Sequence, residues 1–146
     1  AYHYGAGNLN ELKNLFRKGF VIMGASGLIL TLLAELSSAP LVALFASYDA
    51  DLFAMTCHGF RLYSLAFAVM GINVWGSSFF TSLGDGAVSA AISFLRTFLF
   101  QIITVLLLPC FWHLDGIWLA IVIAELFAFV VTITFFAANR NRYHYV

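Results

Sequence analysis

Four ionisable residues stand inside or at the edges of long apolar stretches of this sequence: Glu35, Arg61, Arg96 and Glu125. A charge near the middle of a bilayer costs about 2.5 to 3.5 kcal/mol, so each of them needs a compensating partner or a functional reason for its place. In successive antiparallel helices, Glu35 and Arg61 reach similar depth, and we expect an ion pair or a shared hydrogen-bond network between them. Arg96 and Glu125 differ in depth by about 7 Å at 1.5 Å per helical residue, a gap that long side chains can close.

A structural and a functional interpretation of these charges both stay open. In the structural interpretation, all four residues either brace neighbouring helices or extend their long side chains toward the membrane interface. Glu125 lies near the middle of its apolar stretch, and for this residue a role in proton or substrate handling competes with the structural one. We therefore treat Glu35, Arg61, Arg96 and Glu125 as candidates either for proton coupling or for buried structural charges.

A polar line runs along the second apolar stretch, where Asn73, Ser77 and Thr81 recur every four residues and the same helical spacing leads back to Met70 and Tyr63. An amide beside methionine and aromatic side chains suits a large amphipathic ligand, because methionine repacks easily and rings stack on flat cations. Tyr63, Met70, Asn73 and Ser77 are therefore candidates for lining a substrate cavity. The alternative is that they form hydrogen bonds between helices, worth about 0.6 kcal/mol each.

The composition predicts the elements that must position these residues. Of the 146 residues 62% are hydrophobic and only 10% are charged, whereas soluble domains carry about 25% charged residues. The apolar stretches predict helices over about 15–38, 54–83, 87–109 and 116–139, each long enough for a hydrocarbon core of about 30 Å. We predict an all-α, polytopic membrane bundle of about four transmembrane helices surrounded by membrane lipids. Because the formal net charge is zero, the sequence provides no basic surface for nucleic acid.

Basic residues flank the predicted helices at both ends of the chain: Lys13, Arg17, Lys18, Arg140 and Arg142. The connections on the opposite side carry Asp49, Asp51 and Asp115. By the positive-inside rule this asymmetry predicts a multi-pass protein of the plasma (inner) membrane with both ends of the chain in the cytoplasm. Tyr143 and Tyr145 are expected to anchor the last helix at the interface. Since the chain opens with Ala1 in a polar stretch, we expect a fragment of a longer polytopic protein.

The sequence offers no catalytic or metal-binding constellation. Cys57 and His58 have no second ligand pair for zinc, and paired His, Asp or Cys groups at catalytic spacing do not occur. We therefore expect neither an enzyme nor a cofactor. Cys57 and Cys110 both fall toward the outer side, where ordinary apolar packing is the default and a disulfide is the alternative.

Several short motifs occur in an order that resembles one transporter family. They are Tyr2-His3-Tyr4-Gly5-Ala6-Gly7-Asn8, Leu44-Phe45, Gly59-Phe60-Arg61, Ser82-Leu83-Gly84-Asp85-Gly86, Phe94-Leu95-Arg96, Leu114-Asp115-Gly116-Ile117-Trp118 and Ala124-Glu125. Together they resemble the multidrug and toxic compound extrusion (MATE) family, beginning with its N-Y-G-A-x-N loop. The resemblance implies two six-helix lobes, of which this chain would supply the last four helices, with the remaining helices of the same protein as partners.

The resemblance also implies a function. Members of the family export bulky cationic or amphipathic compounds, including drugs, in exchange for protons or sodium ions, by rocking the two lobes. It places the polar line of the second helix on the central cavity, which favours Tyr63, Met70 and Asn73 as substrate contacts. Some sodium-coupled members carry an acid in this helix, where this chain has only Asn73, so the coupling ion stays open. The alternatives are a related exporter or flippase of lipid-linked compounds or polysaccharides, or a structural membrane subunit without transport activity.

Overall fold

A computed structural model describes residues 1–145, and the elements found there are helices joined by short turns. In chain order they are α1 (Tyr2–Gly5), α2 (Leu9–Ala46), α3 (Ala50–Ser64), α4 (Phe67–Ser82), α5 (Gly86–Phe94), a π-helical segment (Leu95–Phe100) and α6 (Gln101–Tyr143). Within these residues no strand occurs, and the predicted all-α class is confirmed.

Two helical stretches, or three if a bent pair counts as one span, are long and apolar enough to cross a membrane, whereas about four transmembrane helices were predicted. They are Leu9–Ala46, the stretch Gly86–Tyr143, in which the chain leaves helical geometry at Trp112 and His113, and the bent pair Ala50–Ser64 and Phe67–Ser82. The structure is therefore that of an all-α membrane bundle.

Helix α2 is longer than the predicted 15–38. It begins after Asn8, whose side chain accepts a hydrogen bond from the Glu11 backbone N–H and so satisfies one of the free donors of the first turn. It continues through Pro40 to Ala46. Proline removes one backbone hydrogen bond, but the apolar residues on both sides favour a continuous helix, which extends over about 57 Å at 1.5 Å per residue.

The second predicted helix is divided into α3 and α4, which meet at an angle of 43°. Asp49 caps α3 by accepting hydrogen bonds from the backbone N–H groups of Asp51 and Leu52, so this helix starts earlier than the predicted residue 54. The break falls at Leu65 and Ala66, both outside the two helices. Because of this bend, the side chains before and after it do not share one helical face.

A tight turn joins α4 to α5. Gly84 has a φ of +82°, a conformation that glycine adopts without a Cβ penalty. The Asp85 carboxylate then accepts hydrogen bonds from the Val88 backbone N–H at 3.1 Å and from the Tyr143 hydroxyl at 2.6 Å. This turn therefore fixes the start of α5 and the end of α6 to each other.

Helix α6 contains a reversal of the chain. Trp112 and His113 leave helical geometry, and His113 has a φ of 47°, which non-glycine residues rarely adopt. After the break, Gly116 lies so close to the Leu108 carbonyl that a Cβ would also come within 2.7 Å of the Pro109 nitrogen. The two arms of α6 are therefore antiparallel, with a turn shorter than the gap between the predicted helices 87–109 and 116–139.

An aromatic core closes the end of the bundle where α2 begins and α6 finishes. Tyr145 is 1% exposed, its hydroxyl donates to the Phe136 carbonyl at 2.7 Å, and its ring lies 4.7 Å from that of Phe16. Phe80 is fully buried beside them. The expectation that Tyr143 and Tyr145 are interfacial anchors was therefore wrong: both are core residues, because their hydroxyls find acceptors inside the protein.

Candidate functional site

The side chains of Asn73, Arg96 and Glu125 meet inside the bundle, and we call them the buried carboxylate site. The Arg96 Nε donates to Glu125 Oε1 at 2.8 Å, and the Asn73 Nδ2 donates to Glu125 Oε2 at 2.7 Å and to the Glu125 carbonyl at 2.9 Å. Asn73 is fully buried and Glu125 is 6% exposed. Each carboxylate oxygen accepts one N–H, an arrangement that suits the ionised acid with arginine as its counter-ion.

Three segments of the chain converge on this site. Asn73 is on α4, Glu125 on the second arm of α6, and Arg96 in the π-helical segment between α5 and α6. π-Helical turns are rare and often occur at functional sites. Arg96 and Glu125 meet because the arms on either side of Trp112 and His113 run antiparallel, as their depths in the sequence predicted.

One acceptor in the site has no partner. Among residues 1–145, Asn73 Oδ1 is buried without a hydrogen bond. Exchanging the amide oxygen and nitrogen would direct an oxygen at the carboxylate, so the hydrogen bonds favour the orientation described. A buried acceptor without a donor costs free energy. Because the Asn73 Nδ2 faces the Glu125 carboxylate, the Oδ1 of the same planar amide points away from it.

Glu35 and Arg61 are joined through two serines instead of a direct ion pair. The Ser64 hydroxyl donates to Glu35 Oε1 at 2.8 Å, and the Arg61 Nε donates to the Ser38 hydroxyl at 2.9 Å. Ser38 in turn donates to the Glu35 carbonyl at 2.9 Å. We call these four residues the serine network. It ties α2 to α3, and it matches the shared hydrogen-bond network expected from the sequence.

Ser38 and Ser64 were not singled out from the sequence, although their spacing from Glu35 and Arg61 is a usable signal. Ser38 follows Glu35 by three residues, and Ser64 follows Arg61 by three residues, which places each hydroxyl on the same helical face as its charge. Both serines are fully buried. A hydroxyl three residues after each intramembrane charge is thus the pattern that would have identified this network.

The predicted substrate stripe does not form a single surface. Ser77 shares hydrogen bonds with the hydroxyls of Ser89 at 2.9 Å and Ser93 at 2.7 Å on α5, whereas Asn73 contacts α6. Met70 instead lines a hollow of about 270 Å³ against α2. Tyr63, before the bend, packs edge-on against Phe67 with ring centroids 6.0 Å apart. Asn73 and Ser77 are engaged here in hydrogen bonds between helices, the alternative that the sequence left open.

At the opposite end from the aromatic core, α3 contacts the beginning of the second α6 arm. The His58 Nε2 lies 3.0 Å from Asp115 Oδ1, and both side chains are more than half exposed. A Cβ at Gly59 would collide with the Trp118 ring, so the two helices approach closely. Within residues 1–145, Cys57 and Cys110 are free thiols, and the alternative of a disulfide is not observed.

The helices and the buried carboxylate site define a membrane protein that holds a compensated charge within its transmembrane bundle. The MatE family model matches residues 1–107, which is well over half of the chain. The chain therefore belongs to the MatE family, whose members are transporters. Comparisons with curated proteins and with solved structures gave no match.

Proposed function

We propose that this chain forms the last four helices of a two-lobed secondary active antiporter, which exports drugs and other amphipathic or cationic compounds in exchange for protons or sodium ions. The observation that carries the proposal is the buried Asn73–Glu125–Arg96 contact in a chain of the MatE family. An intramembrane carboxylate with a single counter-ion is a typical component of ion-coupled transport. Alternating access between the lobes then needs a site whose contacts differ in the two states.

The buried carboxylate site can respond to either coupling ion. A proton on Glu125 would neutralise the acid and weaken its hold on Arg96, which pairs through one nitrogen at 2.8 Å. A sodium ion would require oxygen ligands: the Glu125 carboxylate supplies one group, and the Asn73 Oδ1 would supply a second only after the amide has rotated away from its hydrogen bond to that carboxylate. In both cases the ion competes with Arg96 for the same carboxylate, so ion binding would be coupled to the packing of α4, the π-helical segment and α6.

Tyr63 and Met70 remain the proposed substrate contacts on this chain. Met70 lines the hollow between α2 and α4 with Met23 and Phe67, and such flexible, apolar walls adapt to ligands of different shape. If Met70 contacts substrate, Met70→Ala should change the ratio of efflux rates for two dyes of different size. The control is Val130→Ala, an exposed residue of α6 that does not line this hollow, and an unchanged ratio in Met70→Ala would remove Met70 from the substrate site.

The test of the antiport mechanism is ethidium efflux from cells that express the complete protein, with the proton and sodium gradients collapsed separately. Efflux that stops with one gradient would establish antiport and identify the ion. Absence of efflux, despite confirmed membrane expression, would contradict the proposed export of such compounds.

The role of Glu125 is tested by Glu125→Gln, with Glu11→Gln as an exposed control. Because the single substitution leaves the Arg96 charge unpaired, which can cost about 3 to 5 kcal/mol, the double variant Arg96→Gln/Glu125→Gln is required as well. If Glu125 couples the ion, the double variant should regain expression but not gradient-driven efflux. Recovery of both would show that the pair is only structural.

We further propose that the protein lies in the plasma (inner) membrane with both ends of this chain in the cytoplasm. The exposed cations Lys13, Arg17, Lys18, Arg140 and Arg142 near those ends support this orientation. The His58–Asp115 contact and the reversal at Trp112 and His113 would then lie on the outer side.

A further inference from the structure

The first turns of α2 carry three exposed cations beside an apolar surface. Lys13, Arg17 and Lys18 are all exposed, and within residues 1–145 no carboxylate lies within ion-pairing distance of any of them. They stand where the polar start of the chain gives way to the long apolar stretch of α2. At such a boundary, long basic side chains place their charges at the level of the lipid headgroups.

Two adjoining hollows lie beside these cations, and we call them together the basic groove. The first has a volume of about 360 Å³ and is lined by Lys13, Phe16, Arg17, Phe20, Val21 and Tyr145. The second has a volume of about 430 Å³ and is lined by Asn14, Arg17, Lys18, Val21 and Ile22. Arg17 and Val21 border both hollows, so the two parts of the groove lie side by side along α2. It has cations toward the start of α2 and apolar side chains further along the helix.

We propose that the basic groove binds one anionic phospholipid. The phosphate would lie on Lys13, Arg17 and Lys18, where arginine offers paired N–H donors to phosphate oxygens. An acyl chain would lie along the aromatic and aliphatic wall formed by Phe20 and Val21.

The charge of the groove separates this ligand from the other candidates. The cationic compounds proposed as transport substrates would be repelled by three positive side chains. An apolar helix from elsewhere in the protein would cover the wall but leave the three cations without a counter-charge. An anionic lipid satisfies both parts of the groove at once. This inference does not depend on the proposed antiport mechanism.

Native mass spectrometry of the complete purified protein tests the proposal, with dioleoylphosphatidylglycerol and dioleoylphosphatidylcholine as probes. We expect phosphatidylglycerol to remain bound and phosphatidylcholine to be lost. Glycerol 3-phosphate supplies the charge without acyl chains, and we expect it not to displace the lipid. Equal retention of the two lipids would overturn the proposal, as would displacement by glycerol 3-phosphate, which would mean that the apolar wall is not used.

The location of the site is tested by Arg17→Gln against the matched control Arg140→Gln, since both arginines are exposed near the same end of the bundle. One basic residue near an anionic surface contributes about 1 kcal/mol, so Arg17→Gln should weaken phosphatidylglycerol binding about fivefold. Arg140→Gln should leave the binding unchanged. If Arg17→Gln and Arg140→Gln bind phosphatidylglycerol equally well, the basic groove is not a lipid site. This outcome is also the one expected if another helix of the complete protein covers the groove.

Discussion

Glu125 makes one contact that can be predicted from the sequence and one that cannot. Its pairing with Arg96 follows from depth along two antiparallel helices, a quantity that can be counted from the sequence. Its contact with Asn73 does not, because that contact depends on how α4 is rotated after the bend at Leu65 and Ala66. The role of Asn73 as donor to both the side chain and the carbonyl of Glu125 therefore became visible only in three dimensions.

We predict that Asn73→Ala lowers the stability of the protein, because it removes the donors to Glu125. A hydrogen bond to a charged group is worth about 1.5 to 3 kcal/mol. Thermal unfolding in detergent should show a lower midpoint than for Asn139→Ala, which removes only a local bond to the Phe135 carbonyl. Equal midpoints for the two variants would argue against an energetic role of the buried amide.

Asp85 gives a prediction that depends on pH. The hydrogen bond from Tyr143 holds the pKa of the Asp85 carboxyl below its ordinary value of 3.8, and the Val88 N–H and the Arg142 charge act in the same direction. Because the pKa of Asp85 is lower in the folded protein than in the unfolded chain, the stabilisation is fully present above the pKa of the unfolded chain. It is lost as the pH falls from there through the lower pKa of the folded protein. The stability difference between the unaltered protein and Asp85→Asn should therefore be constant near neutral pH and shrink below about pH 4.

Unfolding midpoints measured across this range check the Asp85 prediction. Asp51→Asn is the control, because Asp51 is an exposed residue of α3. A difference for Asp85→Asn that persists unchanged in acid would show that the ionised form of Asp85 contributes no stability. The neighbouring Tyr145 should not interfere, since burial raises its pKa to about 12 and it stays protonated throughout.

At the scale of elements, the bends determine which helices meet, and only some bends are marked in the sequence. Gly84 and Asp85 identify the turn between α4 and α5 by residue type. The break at Trp112 and His113 falls in the gap between the predicted helices 87–109 and 116–139, but residue type does not mark its exact position, because neither residue is a typical turn former and Pro109 lies inside the helix. Pro40 gave the opposite error: a proline favours a helix end, and the predicted helix ended at about residue 38, but α2 continues through Pro40. Helix existence was therefore predictable, whereas helix ends were less so.

We predict that Gly116→Ala disrupts the antiparallel arms of α6. The added methyl group would meet the Leu108 carbonyl and the Pro109 nitrogen, which are backbone atoms and cannot rotate away. Overpacking typically costs about 1 to 3 kcal/mol, and we expect the upper part of that range. Gly86→Ala is the matched control, because a Cβ there meets nothing within 4 Å. Similar unfolding midpoints for both variants would mean that the reversal tolerates wider separation.

At the scale of the whole molecule, the predicted orientation assigns the aromatic core and the basic groove to the cytoplasmic side, and the His58–Asp115 contact to the outer side. Composition and charge asymmetry were sufficient for the class of protein and for this expectation. They were not sufficient for Tyr143 and Tyr145, which resemble interfacial anchors in sequence but are buried by the close approach of α2, α4 and α6.

Labelling of Cys110 tests the orientation. Cys110 is exposed and lies two residues before the reversal, so a membrane-impermeant maleimide should modify it in intact cells when Cys57 is replaced by serine. In the same protein lacking both native cysteines, Asn10→Cys should react only after the membrane is permeabilised. The reverse pattern would place both ends of this chain outside the cell.

The π-helical segment Leu95–Phe100 has a consequence for sequence length. A π turn holds more residues than an α turn, so this segment contains extra backbone immediately beside Arg96. Because the wide turn already holds this extra residue, deleting one residue of the segment would let the helix return to α geometry with its two flanks nearly in their present orientation. The same deletion in the regular α-helix that follows would rotate one flank against the other by about 100° and turn Arg96 away from Glu125. Single deletions should therefore be better tolerated in the π-helical segment than in the first arm of α6.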